Sequence, residues 1–220
     1  MSPNFSHFPH FDLYVFIVGP LKTNCYFLVN RQTKDTLIID PGDEGDFLSE
    51  QIINLQLKTQ AIIFTHGHFD HVSGALPLFL NFSSSRSLPV FLHPADQFIY
   101  QRERATAFHF TQVKADPIIP ARNFLSLSQF QTLLGSFFAS TQIILTPGHT
   151  PGSATLYFPS EPLAFVGDLI FADGSFGRTD FSYGDAKKLQ QSLALLKKKF
   201  SQDTLICPGH ESPFTFVDVL

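Results

Sequence analysis

The chain is divided into short apolar runs that each end at a polar or turn residue, and this pattern constrains its fold more than any other feature. Runs of this length that are rich in β-branched and aromatic residues indicate buried strands. The predicted strands are 26–29, 36–39, 61–64, 90–93, 143–145, 154–158, 163–166 and 204–207. No apolar run reaches the roughly 18 residues that a membrane-spanning helix requires. We therefore expect a folded α/β protein without a membrane segment.

Two segments have the spacing of amphipathic helices. In 46–57 and in 185–200, apolar residues recur every three or four positions, which places them on one helical face. A more polar segment, 95–110, is also helical in pattern, whereas the Ser-rich segment 81–87 predicts a surface loop. No internal repeat or long linker separates these elements. The sequence therefore predicts one α/β domain that spans 1–220.

The composition excludes several classes of protein. The 15 Lys and Arg against 19 Asp and Glu give a formal charge of −4, which provides no basic surface for nucleic acid or for an anionic membrane. Cys25 and Cys207 are too few for a disulfide scaffold or a thiolate zinc site. Residues 1–12 contain no Lys or Arg and so lack the basic start of a signal peptide. We expect a cytoplasmic protein whose 26 Phe residues fill its core.

Three histidines and an aspartate follow the predicted strand 61–64 within six residues: His66, His68, Asp70 and His71. The carboxyl end of a buried strand is the edge at which α/β sheets present ligands. Neutral imidazole and carboxylate bind zinc and other divalent first-row metal ions. If His66 and His68 face one ion, then Asp70 and His71 can face a second, so this loop predicts metal binding.

Further candidate ligands follow three later strands. Pro-Gly-His turns place His149 and His210 after predicted strands, and Asp168 follows the strand 163–166. Alone, each Pro-Gly-His would be an ordinary turn more often than a ligand. Together with the first cluster, these turns favour metal ligation.

Seven side chains, in this order along the chain, resemble the metal-binding motif of the metallo-β-lactamase superfamily: His66, His68, Asp70, His71, His149, Asp168 and His210. The resemblance implies an α/β fold of the four-layer αββα sandwich type. It also implies two divalent metal ions, zinc first, with iron or manganese as alternatives. The implied arrangement has three histidines (66, 68 and 149) on one ion, residues 70, 71 and 210 on the other, and residue 168 bridging them.

Two such ions imply a hydrolase. Paired divalent ions lower the pKa of a shared water towards neutrality and polarise the carbonyl that it attacks. Asp70 is the candidate catalytic residue, because a carboxylate ligand could also receive a proton as the tetrahedral intermediate collapses. A role as ligand alone is the alternative for Asp70.

The segments around the later ligands look most like glyoxalase II and its short bacterial relatives, which hydrolyse glutathione thioesters. The stretches 146–153, 167–171 and 209–211 carry this likeness. It implies that the partner is a small-molecule anionic thioester such as S-lactoylglutathione, and not nucleic acid or a membrane. Glyoxalase II usually carries a C-terminal helical domain as well. We expect none here, because the chain ends ten residues after His210.

The substrate loop departs from the glyoxalase II pattern. Gly177, Arg178, Asp180 and Ser212 stand where that family has a Gly-Lys-x-Tyr loop and a Tyr after the last His. Arg178 is the candidate substrate-binding residue, since a guanidinium binds a carboxylate through two hydrogen bonds. An ion pair between Arg178 and Asp180 that fixes the loop is the alternative.

Two other functions remain as alternatives. The same loop resembles that of persulfide dioxygenases, which keep a mononuclear iron site on this fold. That function predicts one iron held by His66, His149 and Asp168, with Asp70 and His71 mostly unused. The second alternative is a non-catalytic binding module of this fold. Such proteins have typically lost metal ligands, and none is missing here.

Overall fold

A computed structural model describes residues 4–83, 88–112, 117–120, 126–138 and 141–219, and their strands form two sheets. The first sheet has the spatial order β1 (Asn4–His7), β2 (Phe11–Val18), β3 (Thr23–Asn30), β4 (Asp35–Ile39), β5 (Lys58–Ile63) and β6 (Val90–Phe91). The second contains β7 (Gln142–Leu145), β8 (Ala154–Phe158), β9 (Leu163–Gly167), β10 (Leu205–Pro208) and β11 (Phe214–Thr215), again side by side in chain order. The pairs β4–β5, β5–β6 and β9–β10 are parallel, and the others are antiparallel.

The helices connect and cover these sheets. They are α1 (Gly45–Asn54), α2 (Phe69–Val72), α3 (Ala75–Phe82), α4 (Gln97–Tyr100), α5 (Glu103–Thr111), α6 (Leu127–Phe137) and α7 (Ala186–Lys199). Short 3-10 turns lie at Pro94–Asp96 and Phe216–Val219. No helix among the described ranges is long and apolar enough to cross a membrane.

Three apolar clusters separate four layers. Strand β3 shows why, because Tyr26 and Leu28 pack between the sheets with β8 and β9, while Phe27 and Val29 pack on the other face with α1 and α3. A strand that is buried on both faces must be apolar at consecutive positions, which explains its unbroken hydrophobic run. The third cluster joins the outer face of the second sheet to α7. The expected αββα sandwich is confirmed.

The strand–helix–strand unit predicted near the start is present as β4, α1 and β5. The two strands are parallel neighbours, so the connecting helix lies against one sheet face. The predicted helix 185–200 is α7, which begins after the N-cap Asp185, whose side chain accepts a hydrogen bond from the backbone N–H of Lys188.

Other predictions were wrong in their bounds. The strand 90–93 stops at Phe91, because Pro94 cannot donate to a sheet and instead begins a 3-10 turn. The segment 95–110 is broken into shorter helices, and no glycine or proline marks the break near Arg102. The loop predicted at 81–87 is wrong at its start, where α3 continues to Phe82, and 84–87 lie outside the described residues.

Six of these strands and helices were not predicted at all, namely β1, β2, β11, α2, α3 and α6. Strand β2 pairs with β3 along its whole length, although polar Asp12 interrupts its apolar pattern. Helix α3 has one polar residue, Asn81, among its eight, so no helical period of polar and apolar residues can be read from it.

Candidate metal centre

All seven predicted ligands lie at one edge of the sandwich. The loop after β5 and helix α2 carry the first four, and the loops after β7, β9 and β10 carry one each: His66, His68, Asp70, His71, His149, Asp168 and His210. The carboxyl ends of parallel strands share one sheet edge, so residues far apart in the chain converge there.

One group of three imidazoles has its nitrogen atoms in mutual contact. The Nδ1 atom of His68 lies 3.0 Å from Nε2 of His66 and 2.9 Å from Nε2 of His149. All three atoms lie within 4.8 Å of one another, which is close enough to hold one metal ion. Three histidine nitrogens with an open fourth position are a typical catalytic zinc arrangement.

A second group contains Asp70, His71 and His210, whose ligand atoms also lie within 4.8 Å of one another. The Oδ2 atom of Asp70 is 3.6 Å from Nε2 of His71 and 3.3 Å from Nε2 of His210. This cluster of one carboxylate and two imidazoles is the donor set that divalent first-row metals bind.

Asp168 lies between the two groups. Its Oδ2 atom is 3.6 Å from Nε2 of His149 and also 3.6 Å from Nε2 of His210, while its Oδ1 atom is 3.4 Å from Nε2 of His71. One carboxylate therefore approaches histidines of both groups, as a bridging ligand would.

Two buried atoms of this cluster fit a cation. Nε2 of His71 and Oδ1 of Asp168 have no hydrogen-bond partner among the described residues. An unsatisfied buried polar atom costs free energy. A divalent ion that both atoms coordinate would remove that cost, so the residues present fit a metal.

Asp40, which was not predicted as a site residue, orients ligands of both groups. Its Oδ1 accepts the backbone N–H of Thr65 at 2.7 Å, and its Oδ2 accepts the Thr65 hydroxyl at 2.6 Å and Nδ1–H of His71 at 3.0 Å. Because the Thr65 hydroxyl hydrogen is used on Asp40, its oxygen accepts Nδ1–H of His66 at 3.1 Å. When both rings are neutral, the Nε2 atoms of His66 and His71 therefore carry lone pairs that face the cluster.

Two of the three remaining histidines, His68 and His149, are fixed by a different loop. Nδ1–H of His149 donates to the carbonyl oxygen of Arg178 at 2.8 Å, which leaves its Nε2 as an acceptor. His68 turns its Nδ1 to the cluster, and its Nε2 lies 2.9 Å from the hydroxyl oxygen of Tyr183. When Nε2–H of His68 donates to this hydroxyl, Nδ1 is free to bind a metal.

Asp96 connects the two loops that carry the first ligand group, which consists of His66, His68 and His149. Its buried carboxylate accepts the N–H of Gly67 at 2.9 Å, the N–H of Gly152 at 2.6 Å and the hydroxyl of Thr150 at 2.6 Å. Burial nevertheless raises the pKa of Asp96. The sequence gives no sign of this role, since a single Asp after β6 belongs to no motif.

The Pro-Gly-His turns need glycine for close packing. A Cβ atom on Gly209 would clash with Oδ1 of Asp168 and with the ring of His71. Gly148 has a φ of +145°, and a Cβ atom there would clash with the backbone of Leu189 on α7. These turns therefore bring His149 and His210 close to the cluster in a way that a side chain would prevent.

The imidazoles differ in their pKa shifts, because burial dominates at His66 and His68, whereas at His71 and His210 the carboxylates of Asp70 and Asp168 raise the pKa against the effect of burial. Burial lowers the pKa of His68 to about 3, and burial with neighbouring imidazoles lowers that of His66 well below its ordinary value. Burial would raise the pKa values of Asp70 and Asp168, but the adjacent His71 holds both below the ordinary range. Unprotonated imidazole and ionised carboxylate are the forms that bind metal.

Arg178 is engaged by its own loop. Its Nε and Nη2 atoms donate to the two carboxylate oxygens of Asp180, each at 2.7 Å, and its guanidinium lies 4.4 Å from the centre of the Phe181 ring. The ion pair that the sequence offered as one of two interpretations is therefore present. A contact between Arg178 and a substrate stays a prediction.

A cavity of about 480 Å³ opens beside the cluster. Its lining includes the ligands His68, Asp70, His149, Asp168 and His210, together with aromatic residues of α5 and of the loop after β9. A small molecule in this cavity would lie against both ligand groups.

The comparisons with known proteins agree with this geometry. The model of the Metallo-beta-lactamase superfamily matches residues 18–210. The chain belongs to this superfamily. Hydroxyacylglutathione hydrolase GloC of Haemophilus influenzae is 32% identical over 196 residues, which are 89% of this chain and 88% of that protein. The membership makes the protein a metal-dependent hydrolase.

Two solved structures are similar over almost the whole chain. The B3 metallo-beta-lactamase BLEG-1 has a TM-score of 0.78 and 28% identity, covering 94% of this chain and 95% of its own. TTHA1623 in a di-iron-bound form has a TM-score of 0.75 and 31% identity, covering 92% and 94%. Proteins with this fold therefore include one named as a metallo-beta-lactamase and one that binds two iron ions.

Proposed function

We propose that the protein is a binuclear metallohydrolase that cleaves thioesters, with S-lactoylglutathione as its model substrate. The position of Asp168 between two complete ligand groups is the observation that carries this proposal. A mononuclear site would leave Asp70, His71 and His210 without a function, although their ligand atoms converge within 4.8 Å. The named activity of the relative GloC supports the thioester.

The protein's own side chains then have separate tasks. His66, His68 and His149 would hold one ion, and Asp70, His71 and His210 the other, with Asp168 shared. Bound ions supply Lewis acidity, which lowers the pKa of water and polarises a carbonyl.

We propose that Asp70 also moves a proton. The hydroxyl of Thr23 donates to its Oδ2 at 3.1 Å and so orients the carboxylate towards the cluster. Asp70 stays ionised because His71 lowers its pKa against the effect of burial. It can therefore accept a proton at a carboxylate oxygen, in addition to binding metal.

Zinc is the proposed metal, because histidine-rich sites with one or two carboxylates suit it. Iron and manganese bind similar donors, and the di-iron form of TTHA1623 makes iron the first alternative to test. We propose a cytoplasmic location with a small anionic thioester as partner, rather than nucleic acid or a membrane. The free, buried Cys25 and Cys207 and the net charge of −4 support this.

Metal analysis paired with two assays tests the proposal. Purified protein loaded with zinc, iron or manganese is assayed for S-lactoylglutathione hydrolysis and for oxygen uptake with glutathione persulfide. We expect two metal ions per chain, hydrolysis and no oxygen uptake. One iron per chain with oxygen uptake would instead establish a dioxygenase.

The variant Asp70→Ala tests the second ligand group. It should lose one metal ion and most turnover, because it removes a ligand and the proton acceptor together. Asp46→Ala on the surface of α1 is the control, and it should keep both ions and full activity. Undiminished turnover of Asp70→Ala with two bound ions would contradict the assigned role.

A further inference from the structure

The cavity beside the ligand groups is walled mainly by aromatic side chains. They are Phe69, Phe110, Phe171, Phe176, Phe181 and Tyr183. Arg178 is the one Lys or Arg among the described lining residues, and its guanidinium already donates two hydrogen bonds to Asp180. The walls therefore offer apolar surface, with no uncommitted Lys or Arg among those residues.

Four of these rings form two stacked pairs. The ring centroids of Phe69 and Phe110 are 6.1 Å apart with planes 12° from parallel. Those of Phe181 and Tyr183 are 5.3 Å apart with planes 18° from parallel. The Arg178 guanidinium already lies over the Phe181 ring, so the pair that contains the exposed Phe110 is the flat surface that suits another planar ring.

Several apolar residues at this cavity are exposed instead of buried. Phe110 is 54% exposed, Phe176 is 44% exposed and Leu21 is 45% exposed. Adjacent exposed apolar side chains beside a cleft mark a binding surface, since they would gain free energy by being covered. These two phenylalanines therefore do not fill the core, as the composition had suggested for Phe in general.

The aromatic wall begins next to the candidate ligands. Phe69 stands between His68 and Asp70 in the chain, and the Phe181 ring lies 5.4 Å from the ring of His68. The Phe171 ring lies 6.2 Å from the ring of His210. A thioester carbonyl placed at the ligand cluster would have one of its two substituents, the acyl group or the thiol group, against these rings.

We infer that the cavity selects thioesters whose acyl group carries an aromatic ring. The inference rests on the proposed thioester hydrolysis and adds the chemical class of the acyl group to it. A volume of about 480 Å³ accommodates a phenyl-bearing acyl group beside the cluster.

Two substrates that differ in one group test the inference. S-mandeloylglutathione and S-lactoylglutathione share the thiol and the 2-hydroxyacyl centre, but the first has a phenyl group where the second has a methyl group. After each kcat/KM is divided by the rate of alkaline hydrolysis of the same thioester, the mandeloyl substrate should be preferred by about tenfold or more. A ratio near one, or a preference for lactoyl, would overturn the inference.

Two variants on the same helix locate the selecting surface. Phe110→Ala removes an exposed wall residue of α5 and should lower the mandeloyl-to-lactoyl ratio by about fivefold. Phe108→Ala is the matched control, because Phe108 is 47% exposed on α5 and is absent from the cavity lining. It should leave both the ratio and the basal activity unchanged. Equal ratios in the two variants would also overturn the inference.

A binding measurement separates this inference from the proposed function. If the zinc-loaded protein cleaves neither thioester, the proposed function is wrong, and calorimetry with the acids mandelate and lactate still tests the cavity. Mandelate should bind about tenfold more tightly than lactate, and Phe110→Ala should remove most of this difference. Equal affinities would contradict an aromatic acyl site.

Discussion

Asp40 shows how one residue can organise both ligand groups. Its carboxylate accepts hydrogen bonds from Thr65 and from His71, and Thr65 in turn accepts one from His66. The same carboxylate therefore sets the tautomers of a histidine in each group. Partners of this kind orient metal ligands and raise their basicity.

Replacing Asp40 by Asn should impair both groups at once. An amide nitrogen cannot accept the hydrogen bonds from Thr65 and His71, so the imidazoles lose their fixed tautomers. We expect metal affinity or activity to fall by about ten- to a hundredfold, measured by chelator competition and turnover. Asp35→Asn at the opposite end of β4 is the control, because Asp35 only accepts from Gln60. Unchanged metal affinity in Asp40→Asn would refute this role.

At the scale of elements, loops that are far apart in sequence are joined by a few hydrogen bonds. Asp96 connects the loop after β5, through Gly67, to the loop after β7, through Thr150 and Gly152. The loop after β9 reaches the same site through the Arg178 carbonyl and Tyr183. The positions of the ligands thus depend on contacts between loops.

The variant Asp96→Asn should loosen this connection. Its amide nitrogen would face N–H donors that now donate to a carboxylate, so buried donors lose their acceptor. We expect the free energy of unfolding to fall by about 2 kcal/mol, measured by urea denaturation. Asp173→Asn, in which the altered side chain is exposed and only accepts from Ser175, should change it by less than about 0.5 kcal/mol. Equal stability of the two variants would contradict the role of Asp96.

A pair of variants decides between the two interpretations of Arg178. If the ion pair fixes the loop, then Arg178→Ala and Asp180→Ala should lower kcat/KM alike, for both an anionic thioester and a neutral ester. Because both side chains are exposed, we expect a modest effect of about two- to fivefold. If Arg178 binds the substrate, only Arg178→Ala should raise KM, and only for the anionic thioester. Steady-state kinetics with the two substrates distinguishes these results.

At the scale of the whole molecule, the candidate site lies at one edge of the two packed sheets. Its ligands come from loops of both sheets, so an ion held there would connect the halves of the sandwich. Asn24 and Tyr26 of β3 add a further link, since both donate to the Pro208 carbonyl at the end of β10. Ligands that bind only the folded state stabilise it by mass action.

Removing metal should therefore lower thermal stability as well as activity. For zinc at about a hundredfold over its Kd, the stabilisation is about 3 kcal/mol, which corresponds to about 5 to 10 °C in Tm for a chain of this size. Differential scanning calorimetry before and after chelation, and after zinc is restored, measures this shift. Identical Tm values with and without zinc would contradict the proposed site.

The sequence alone predicted the seven candidate ligands, because each follows a strand end in a short motif that is local in the chain. It also predicted the αββα class through resemblance, and the buried strands through their apolar runs. Tertiary structure decided the roles of Asp40, Asp96 and Tyr183, since each acts on residues at least 25 positions away and belongs to no motif. It also separated the phenylalanines of the core from those of the cavity wall. Composition counts both alike, whereas only packing determines which rings are covered.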